Sequence, residues 1–288
     1  MRPAIDCGSL ASLAFRPSFG GKSLSVIVNK LRNGKERAYN VLTLVLGIVL
    51  WPLLILAALA SIAVPTVGPL IAVYVGYGLL IWLFLFLSSL FYRANAFGSM
   101  VLLGPQQFPL LHEMVVAGSR ELGFKQTPRA FLYNSNGLFN AFARRILGGD
   151  FVFLTSALVD ANSDEQVKFV IGHELGHHAA GHLNGWLNFL RAPSQVVPFL
   201  GAAYSRSREY TCDSIGAYLS QDLGASRSAL QMLGCGCRRL NTAMSCEAFL
   251  AQEAQVPPVF GFLNEIFRGH PRLTRRVAAI SERTLSGG

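Results

Sequence analysis

The 288-residue chain contains an uncharged apolar run between Arg37 and Arg93 that is dense in Leu, Ile, Val, Ala and Phe. A helix needs about 20 apolar residues to cross the hydrocarbon core of a bilayer, so this run is long enough for two crossings. The segment 61–69, which holds two prolines, breaks the run near its middle. We therefore predict an N-terminal hairpin of transmembrane helices at about 41–63 and 69–92.

Beyond the apolar run, the hydrophobic positions recur at helical spacing in some segments and alternate as in strands in others. The spacing predicts helices at 107–122, 164–182 and 225–239, one that begins near Ser205 and one after Pro271. Strands are predicted at 129–134, 139–144 and 151–155, with Gly148-Gly149-Asp150 as the turn between the last two. This pattern predicts a mainly α domain of the α+β class with a small antiparallel sheet.

Residues 183–204 form a second apolar segment, interrupted by Arg191-Ala192-Pro193-Ser194. The segment is too short for a hairpin that crosses a bilayer twice. We expect a re-entrant or membrane-skimming loop here.

Charge sets the expected orientation of the chain, whose net charge is +9. Before the first predicted span, only Asp6 and Glu36 oppose seven basic residues: Arg2, Arg16, Lys22, Lys30, Arg32, Lys35 and Arg37. Since basic residues stay on the cytoplasmic side, both termini are predicted to be cytosolic, in a bacterial-type inner membrane. The predicted units are a basic, poorly ordered tail at 1–38, two transmembrane helices in 39–93 and a folded domain at 94–288.

The excess of basic residues indicates the kind of partner, and the cysteine pattern indicates the compartment. The positive charge fits attraction to an anionic lipid leaflet, and the sequence holds no nucleic-acid-binding motif, so a bilayer partner is expected and a nucleic acid is not. The five cysteines form neither a disulfide framework nor a C-x-x-C pair, which is typical of reduced thiols in a cytosolic domain.

The segment His173-Glu174-Leu175-Gly176-His177 carries the candidate chemistry. On a helix, residues four apart lie on the same face, so both imidazoles can reach one zinc ion at about 2.0–2.1 Å. Glu174 is turned away from the metal and can act as general base on a water molecule. Ser163 and Gln166 have capping-box spacing, which predicts that the motif lies on a helix.

A third ligand is predicted about thirty residues downstream, where Glu209 and Asp213 share one helix face. In one interpretation Glu209 binds the metal and Asp213 accepts the free imidazole N–H of a ligating histidine. In the other, both acids belong to a solvated face and pair with Arg206 and Arg208. The presence of the His-Glu-x-x-His segment favours the first interpretation.

Four ordered motifs give the chain a family resemblance: Asn140-Ala141-Phe142, His173-Glu-Leu-Gly-His177, Ser207-Arg-Glu-Tyr-x-x-Asp213, and His270-Pro271 followed by Arg276. Together they resemble the M48 family of membrane-associated zinc metallopeptidases, over roughly 105–285. The resemblance implies a gluzincin-type fold with one Zn²⁺ per chain. Its implied ligands are His173, His177 and Glu209, with Glu174 as the base.

The resemblance also implies that Asn140, His270 and Arg276 line the substrate cleft, with Asn140 binding the substrate backbone and the other two taking part in catalysis. Ala143-Arg144-Arg145 and Thr211-Cys212 depart from the family pattern. These departures bear on the selectivity of the cleft, since they touch no predicted ligand.

The remaining histidines bear on rival classes of site. A metzincin needs glycine and histidine three and six residues after His177, where this chain has Ala180 and Leu183, so that class is excluded. His178 and His182 are expected to point away from the metal, with His182 at a surface or interface.

The predicted function is that of a membrane-anchored zinc metalloendopeptidase, acting on membrane or membrane-proximal, including misfolded, polypeptides. Glu174 would take a proton from the attacking water and pass it to the leaving amine. The alternatives are a non-proteolytic zinc-containing membrane chaperone or scaffold, and a prenyl-peptide processing protease. A site within the bilayer is disfavoured, because Asp164, Glu165 and Lys168 lie on the same helix.

Overall fold

The structure, a computed structural model, describes residues 24–62, 64, 66–147 and 149–285. Its described helices run in the order α1 Leu24–Leu31, α2 Gly34–Ile62, α3 Gly68–Ser99, α4 Pro109–Glu121, α5 Ser156–Ala161, α6 Asp164–Ala179, α7 Gly185–Arg191, α8 Leu200–Ser220, α9 Leu223–Cys235, α10 Arg238–Thr242, α11 Cys246–Ala251, α12 Pro258–Ile266 and α13 Leu273–Leu285. Short 3-10 helices lie at Ala192–Val196 and Gln252–Gln255. The prediction of a mainly helical chain is confirmed.

The two long apolar helices α2 and α3 are the candidate membrane spans, at 29 and 32 residues. Their apolar side chains are largely exposed, as expected of helices that lipid would cover. Both helices extend past the predicted 41–63 and 69–92, because their outer turns pack on the rest of the protein. At the end of α3, for example, Ala96 is buried and the Phe97 ring contacts Phe131 at 5.1 Å. Residues 63 and 65 of the predicted break lie outside the described residues.

Four strands form one sheet in the order β1-β2-β4-β3, with β1 at Val101–Leu102, β2 at Arg129–Tyr133, β3 at Ala141–Ile146 and β4 at Gly149–Thr155. The sheet is mixed and not purely antiparallel as predicted, because β2 and β4 pair in parallel. β4 takes a central position because Phe151 to Thr155 are fully buried, while β3, which carries Arg144 and Arg145, lies at the edge. Gly148 of the predicted turn lies outside the described residues, and β4 already begins at Gly149.

Helices α6 and α8 form the centre of the soluble part and cross at glycines. A Cβ atom on Gly172 would lie 2.9 Å from the Cα of Gly216, and one on Gly176 would lie 3.3 Å from the Cα of Cys212. Side chains at these positions would force the helices apart. The close approach brings the histidine motif of α6 against the acidic residues of α8.

The described part of the predicted poorly ordered tail before α2, residues 24–33, consists of α1 and a turn that pack on the rest of the protein. Val28 on α1 is buried in the main hydrophobic cluster, and Leu31 packs against it. Glu36, in the first turn of α2, is fully buried as well. The reason is long-range docking of this segment on α6 and α8. Residues 1–23, which include Arg2, Arg16 and Lys22, lie outside the described residues.

The apolar segment 183–204 forms α7, a 3-10 helix and the start of α8, all near the first apolar helix. The Trp51 indole donates to the carbonyl of Phe189 at 3.1 Å, and the two rings stack at 4.7 Å. Neither described piece is long enough to cross a bilayer. The segment packs along α2, and its re-entrant or membrane-skimming position stays a prediction.

Candidate active site

Helix α6 begins with the predicted capping box. The amide of Gln166 donates to the Ser163 hydroxyl at 3.3 Å, and the Gln166 side chain accepts from the Ser163 amide at 2.7 Å. The helix ends at Ala179 and not at 182, because Gly181 adopts a left-handed conformation with φ of 76°. The histidine motif thus lies on the last two turns of a well-capped helix.

The side chains of His173 and His177 meet the carboxylate of Glu209 on α8. The Nε2 atoms lie 3.6 and 3.7 Å from its two oxygens, and all three residues are largely buried. The His173 Nδ1 lies 2.9 Å from Asp213. In the structure, Glu209 and Asp213 therefore face the histidines and not a solvated surface.

A rival ligand set consists of His173, His177 and Cys212, whose potential donor atoms lie within 4.8 Å of one another. The hydrogen bonds argue against it. The Nδ1 atoms of both histidines are already engaged, by Asp213 and His182, which leaves the Nε2 atoms that face Glu209.

Burial and charge set the protonation of the acids and histidines. Burial lowers the pKa of His177 well below its ordinary value and favours the neutral imidazole that binds metals. Burial alone would raise the pKa of Glu209, but the hydrogen bond from His270 and the neighbouring cations outweigh it and lower the pKa to about 2. A neutral imidazole and a carboxylate are the forms that bind zinc, so the states of His177 and Glu209 fit that ion. Burial alone would lower the pKa of His173, but the hydrogen bond to Asp213 and the charge of Glu209 outweigh it and raise that pKa, so zinc would have to displace a proton from this ring.

Glu174 lies beside this cluster in a different environment. Burial raises its pKa to about 7, although His173 and the backbone amide of Ala143 oppose the shift. A carboxyl group with a pKa near neutrality can take up a proton and release it again. The pKa of Glu174 is thus raised, whereas that of Glu209 in the same site is lowered.

A cleft of about 540 Å³ opens over the cluster. One wall is strand β3 with the preceding Asn140, and the other is α6 with Glu174 and the start of α8. The exposed Asn140 is fixed by its backbone, whose amide and carbonyl bond to Thr155 at 3.2 and 3.1 Å. Because β3 is an edge strand, one side of it is open to the cleft.

The two residues predicted near the C terminus reach the cluster in different ways. His270 is 74% exposed at its side chain and its Nδ1 lies 3.0 Å from Glu209. Arg276, on α13, is buried and donates two hydrogen bonds to Asp213, at 2.7 and 2.8 Å. Its third nitrogen lies 3.5 Å from Glu209. Arg276 therefore contacts the cluster mainly through Asp213.

His182 was predicted at a surface or interface, and this prediction is wrong. The residue is 1% exposed, and its Nδ1 lies 3.1 Å from the Nδ1 of His177. The helical projection failed because Gly181 ends the helix and turns the chain back under His177. His178 points away from the cluster as predicted, with its Nε2 2.9 Å from the carbonyl of Phe151.

In the comparison with protein families, the model of Peptidase family M48 matches residues 105–188 and 184–284. Among curated proteins, the chain is 28% identical over 170 residues to "Plastoglobule-localized metallopeptidase 48, chloroplastic" of Arabidopsis thaliana, which covers 54% of this chain and 48% of that protein. It is 32% identical over 177 residues to the "Protease HtpX homolog" of Archaeoglobus fulgidus, covering 61% of this chain and 49% of the other. The chain thus spans about half the length of these relatives.

A solved structure, that of S. mikatae Ste24p, is also similar. The TM-score is 0.47 at 15% sequence identity, and the match covers 79% of this chain and 65% of the other.

Proposed function

The chain belongs to peptidase family M48, and on that premise we propose that it is a membrane-anchored zinc metalloendopeptidase. One observation carries the proposal. The free Nε2 atoms of His173 and His177 face the two oxygens of Glu209, with the Glu174 carboxyl beside them in an open cleft. Zinc, one ion per chain, would be held by these three side chains and would supply Lewis-acid activation of water and of the scissile carbonyl.

Glu174 is proposed as the general base. Its pKa of about 7 suits a group that removes a proton from water and later donates it to the leaving amine. Glu174 and Ala143 of β3 both line the cleft, and the amide of Ala143 lowers the pKa of the Glu174 carboxyl, so the proposed base lies beside the strand along which an extended peptide would bind.

The edge of β3 is proposed to bind the substrate backbone as an added strand, with Asn140 donating from its side chain. The open edge and the position of Asn140 in the cleft lining support this role. Polypeptides that can present an extended segment are therefore the expected substrates.

His270 is proposed to stabilise the developing oxyanion, because it is the exposed donor at the mouth of the cleft. Arg276 is proposed to act through its neighbours, since it is buried against Asp213 and near Glu209. The proposed role of Asp213 is to accept the Nδ1–H of His173 and fix the orientation of that ring.

The proposed location is a bacterial-type inner membrane with the cleft on the cytoplasmic side. Apolar side chains stay exposed along α7, along the following 3-10 helix, and along α12 and the residue that follows it: Trp186, Phe189, Val196, Val259, Phe260, Phe262 and Phe267. Phe267 contacts Phe199 at the start of α8, which links α12 to the segment that packs on α2. Such a surface suits a cleft held close to lipid and to membrane-proximal substrates. Labelling from the periplasmic side should reach a cysteine placed at Thr66 and spare Cys246; the reverse pattern rejects this orientation.

The proposal is tested with Glu174→Gln in the full chain. This variant should keep stoichiometric zinc and lose proteolysis, because the ligands remain and only the base is removed. Glu165→Gln is the matched control, since Glu165 is an exposed glutamate on the same helix. Metal analysis and cleavage of an unfolded protein substrate measure the two properties, and activity of Glu174→Gln within tenfold of the control would reject the mechanism.

A further inference from the structure

A buried hydrogen-bond chain connects the proposed ligand His177 to the N-terminal segment. The Nδ1 of His177 lies 3.1 Å from the Nδ1 of His182, and the Nε2 of His182 lies 3.1 Å from the Oε1 of Glu36. His182 and Glu36 are 1% and 0% exposed. Glu36 belongs to the first turn of α2, the first candidate membrane helix.

One assignment of hydrogens gives every ring nitrogen in this series of hydrogen bonds a partner. If the Nε2 lone pair of His177 points toward Glu209 and the metal position, its Nδ1 carries hydrogen and donates to the Nδ1 of His182. His182 then carries hydrogen on Nε2 and donates it to the Glu36 carboxylate, which can only accept. The orientation of the His177 ring therefore depends, through two successive hydrogen bonds, on the carboxylate of Glu36.

The position of Glu36 is fixed independently of the histidines. Arg32 and the Thr211 hydroxyl both donate to its carboxylate. Arg32 also donates to the carbonyl of Ala180 at 2.9 Å, and the amide of Asn33 donates to Thr211 at 2.9 Å. These contacts fasten the turn between α1 and α2 to the C-terminal end of α6 and to the middle of α8, the two helices that carry the proposed metal ligands.

We infer that Glu36 and His182 are positioning residues of the metal centre, acting on His177 as Asp213 acts on His173. This inference rests on the proposed function, since it takes His177 as a zinc ligand. Ligating histidines usually donate their second ring nitrogen to an acceptor, and losing that acceptor lowers metal affinity about 10- to 100-fold. The segment that leads into the membrane thus supplies part of the metal centre, and residues 94–288 alone lack its carboxylate.

The test measures zinc affinity by chelator competition with the full chain in detergent, together with the absorption spectrum of the cobalt-substituted protein. Glu36→Gln and His182→Asn should each weaken zinc binding about 10- to 100-fold and shift the cobalt bands, because His177 loses its fixed orientation. Glu121→Gln is the matched control. Glu121 also accepts a hydrogen bond from a side chain of α8, that of Tyr218, but does so away from the cluster. It should change neither property.

A double variant separates positioning from general loss of stability. If Glu36 acts through His182, then Glu36→Gln combined with His182→Asn should bind zinc no more weakly than His182→Asn alone. Additive losses would overturn the inference. If Glu36→Gln does not yield folded protein, His182→Asn decides the matter by itself: unchanged affinity and an unchanged cobalt spectrum reject the inference, and the expected changes support it.

Failure of the inference and failure of the proposed function give different results. Loss of zinc in His177→Ala, with wild-type zinc affinity and cobalt spectra in Glu36→Gln and His182→Asn, would overturn the inference and leave the zinc site standing. Undiminished zinc in His177→Ala would instead reject the proposed ligand set, and the inference with it.

Discussion

His173 and His177 are one helical turn apart on α6, yet the hydrogen-bond networks at their Nδ1 atoms lead to opposite ends of the chain. Asp213, which accepts two hydrogen bonds from Arg276 of α13, lies against His173. His182 lies against His177 and is followed by Glu36 from the start of α2.

The two sides differ in how much local sequence contributes to them. The His173 side is built within the region that matches the family, whereas the His177 side depends on Glu36, which precedes that region. The comparison teaches that a family motif can specify the metal-facing atoms while a distant segment completes their surroundings. Four predictions test the contrast.

Glu209 lies between the two sides, and its removal should have the largest effect. Glu209→Ala leaves only two proposed ligands, so we expect loss of both zinc and proteolysis. Metal analysis of the purified variant measures this, with Glu265→Ala as the control, since this acid of α12 pairs with Arg272 and Arg275 and is not a proposed ligand. Undiminished zinc in Glu209→Ala would show that another residue is the third ligand. The two histidines could then no longer be compared as partners of Glu209.

On the His173 side, Arg276→Ala leaves the buried Asp213 without its cation. Breaking a buried ion pair by removing one partner costs about 3–5 kcal/mol of unfolding free energy. Zinc affinity and turnover should also fall, because Asp213 loses the donors that fix it.

The neighbouring variant Arg275→Ala is the control for Arg276→Ala. Arg275 is half-exposed and pairs with Glu253 and Glu265 at the surface, so its loss should cost less than about 1 kcal/mol. Denaturant unfolding of the zinc-free proteins compares the two. Equal losses would show that Asp213 does not depend on Arg276.

His270 contacts the cluster from the solvent side and belongs to neither of the hydrogen-bond networks at His173 and His177. His270→Ala should therefore keep zinc and lower turnover about 10²- to 10³-fold, the range for removing one oxyanion donor. Arg268→Ala, two residues earlier in the same loop, serves as the control. A variant of His270 that loses zinc would count it among the ligands, and unchanged turnover would exclude it from catalysis.

The sequence was most informative where the signal is local. The uncharged run predicted two long apolar helices, and Ser163 with Gln166 predicted the start of α6. The sheet was less predictable, because parallel pairing of β2 with β4 depends on β3 crossing to the far edge, which strand periodicity does not encode. Local pattern thus predicted the elements better than their arrangement.

The neighbourhood of His177 was missed because Glu36 and His182 are 146 residues apart in sequence. Two signals were present in the chain. Gly181 is a helix terminator that invalidates helical projection to His182, and Glu36 is the lone acid among the basic residues next to the first span. Neither signal names a partner, since docking of distant segments depends on the packing of the whole fold.

The smallest expected effect separates the two ligand sets on the His177 side. The Cys212 sulfur lies 3.6 Å from the Nδ1 of His182, in the interface between α6 and α8, whereas the Nε2 atoms of His173 and His177 face Glu209. Cys212→Ala should therefore keep stoichiometric zinc, with an affinity within about threefold of wild type, since it removes no ligand. The cobalt-substituted wild-type protein should likewise show no thiolate-to-cobalt charge-transfer absorption. If that absorption is present and disappears in Cys212→Ala, the Cys212 thiolate is a metal ligand. The proposed ligand set, with Glu209 facing both histidines, would then be wrong.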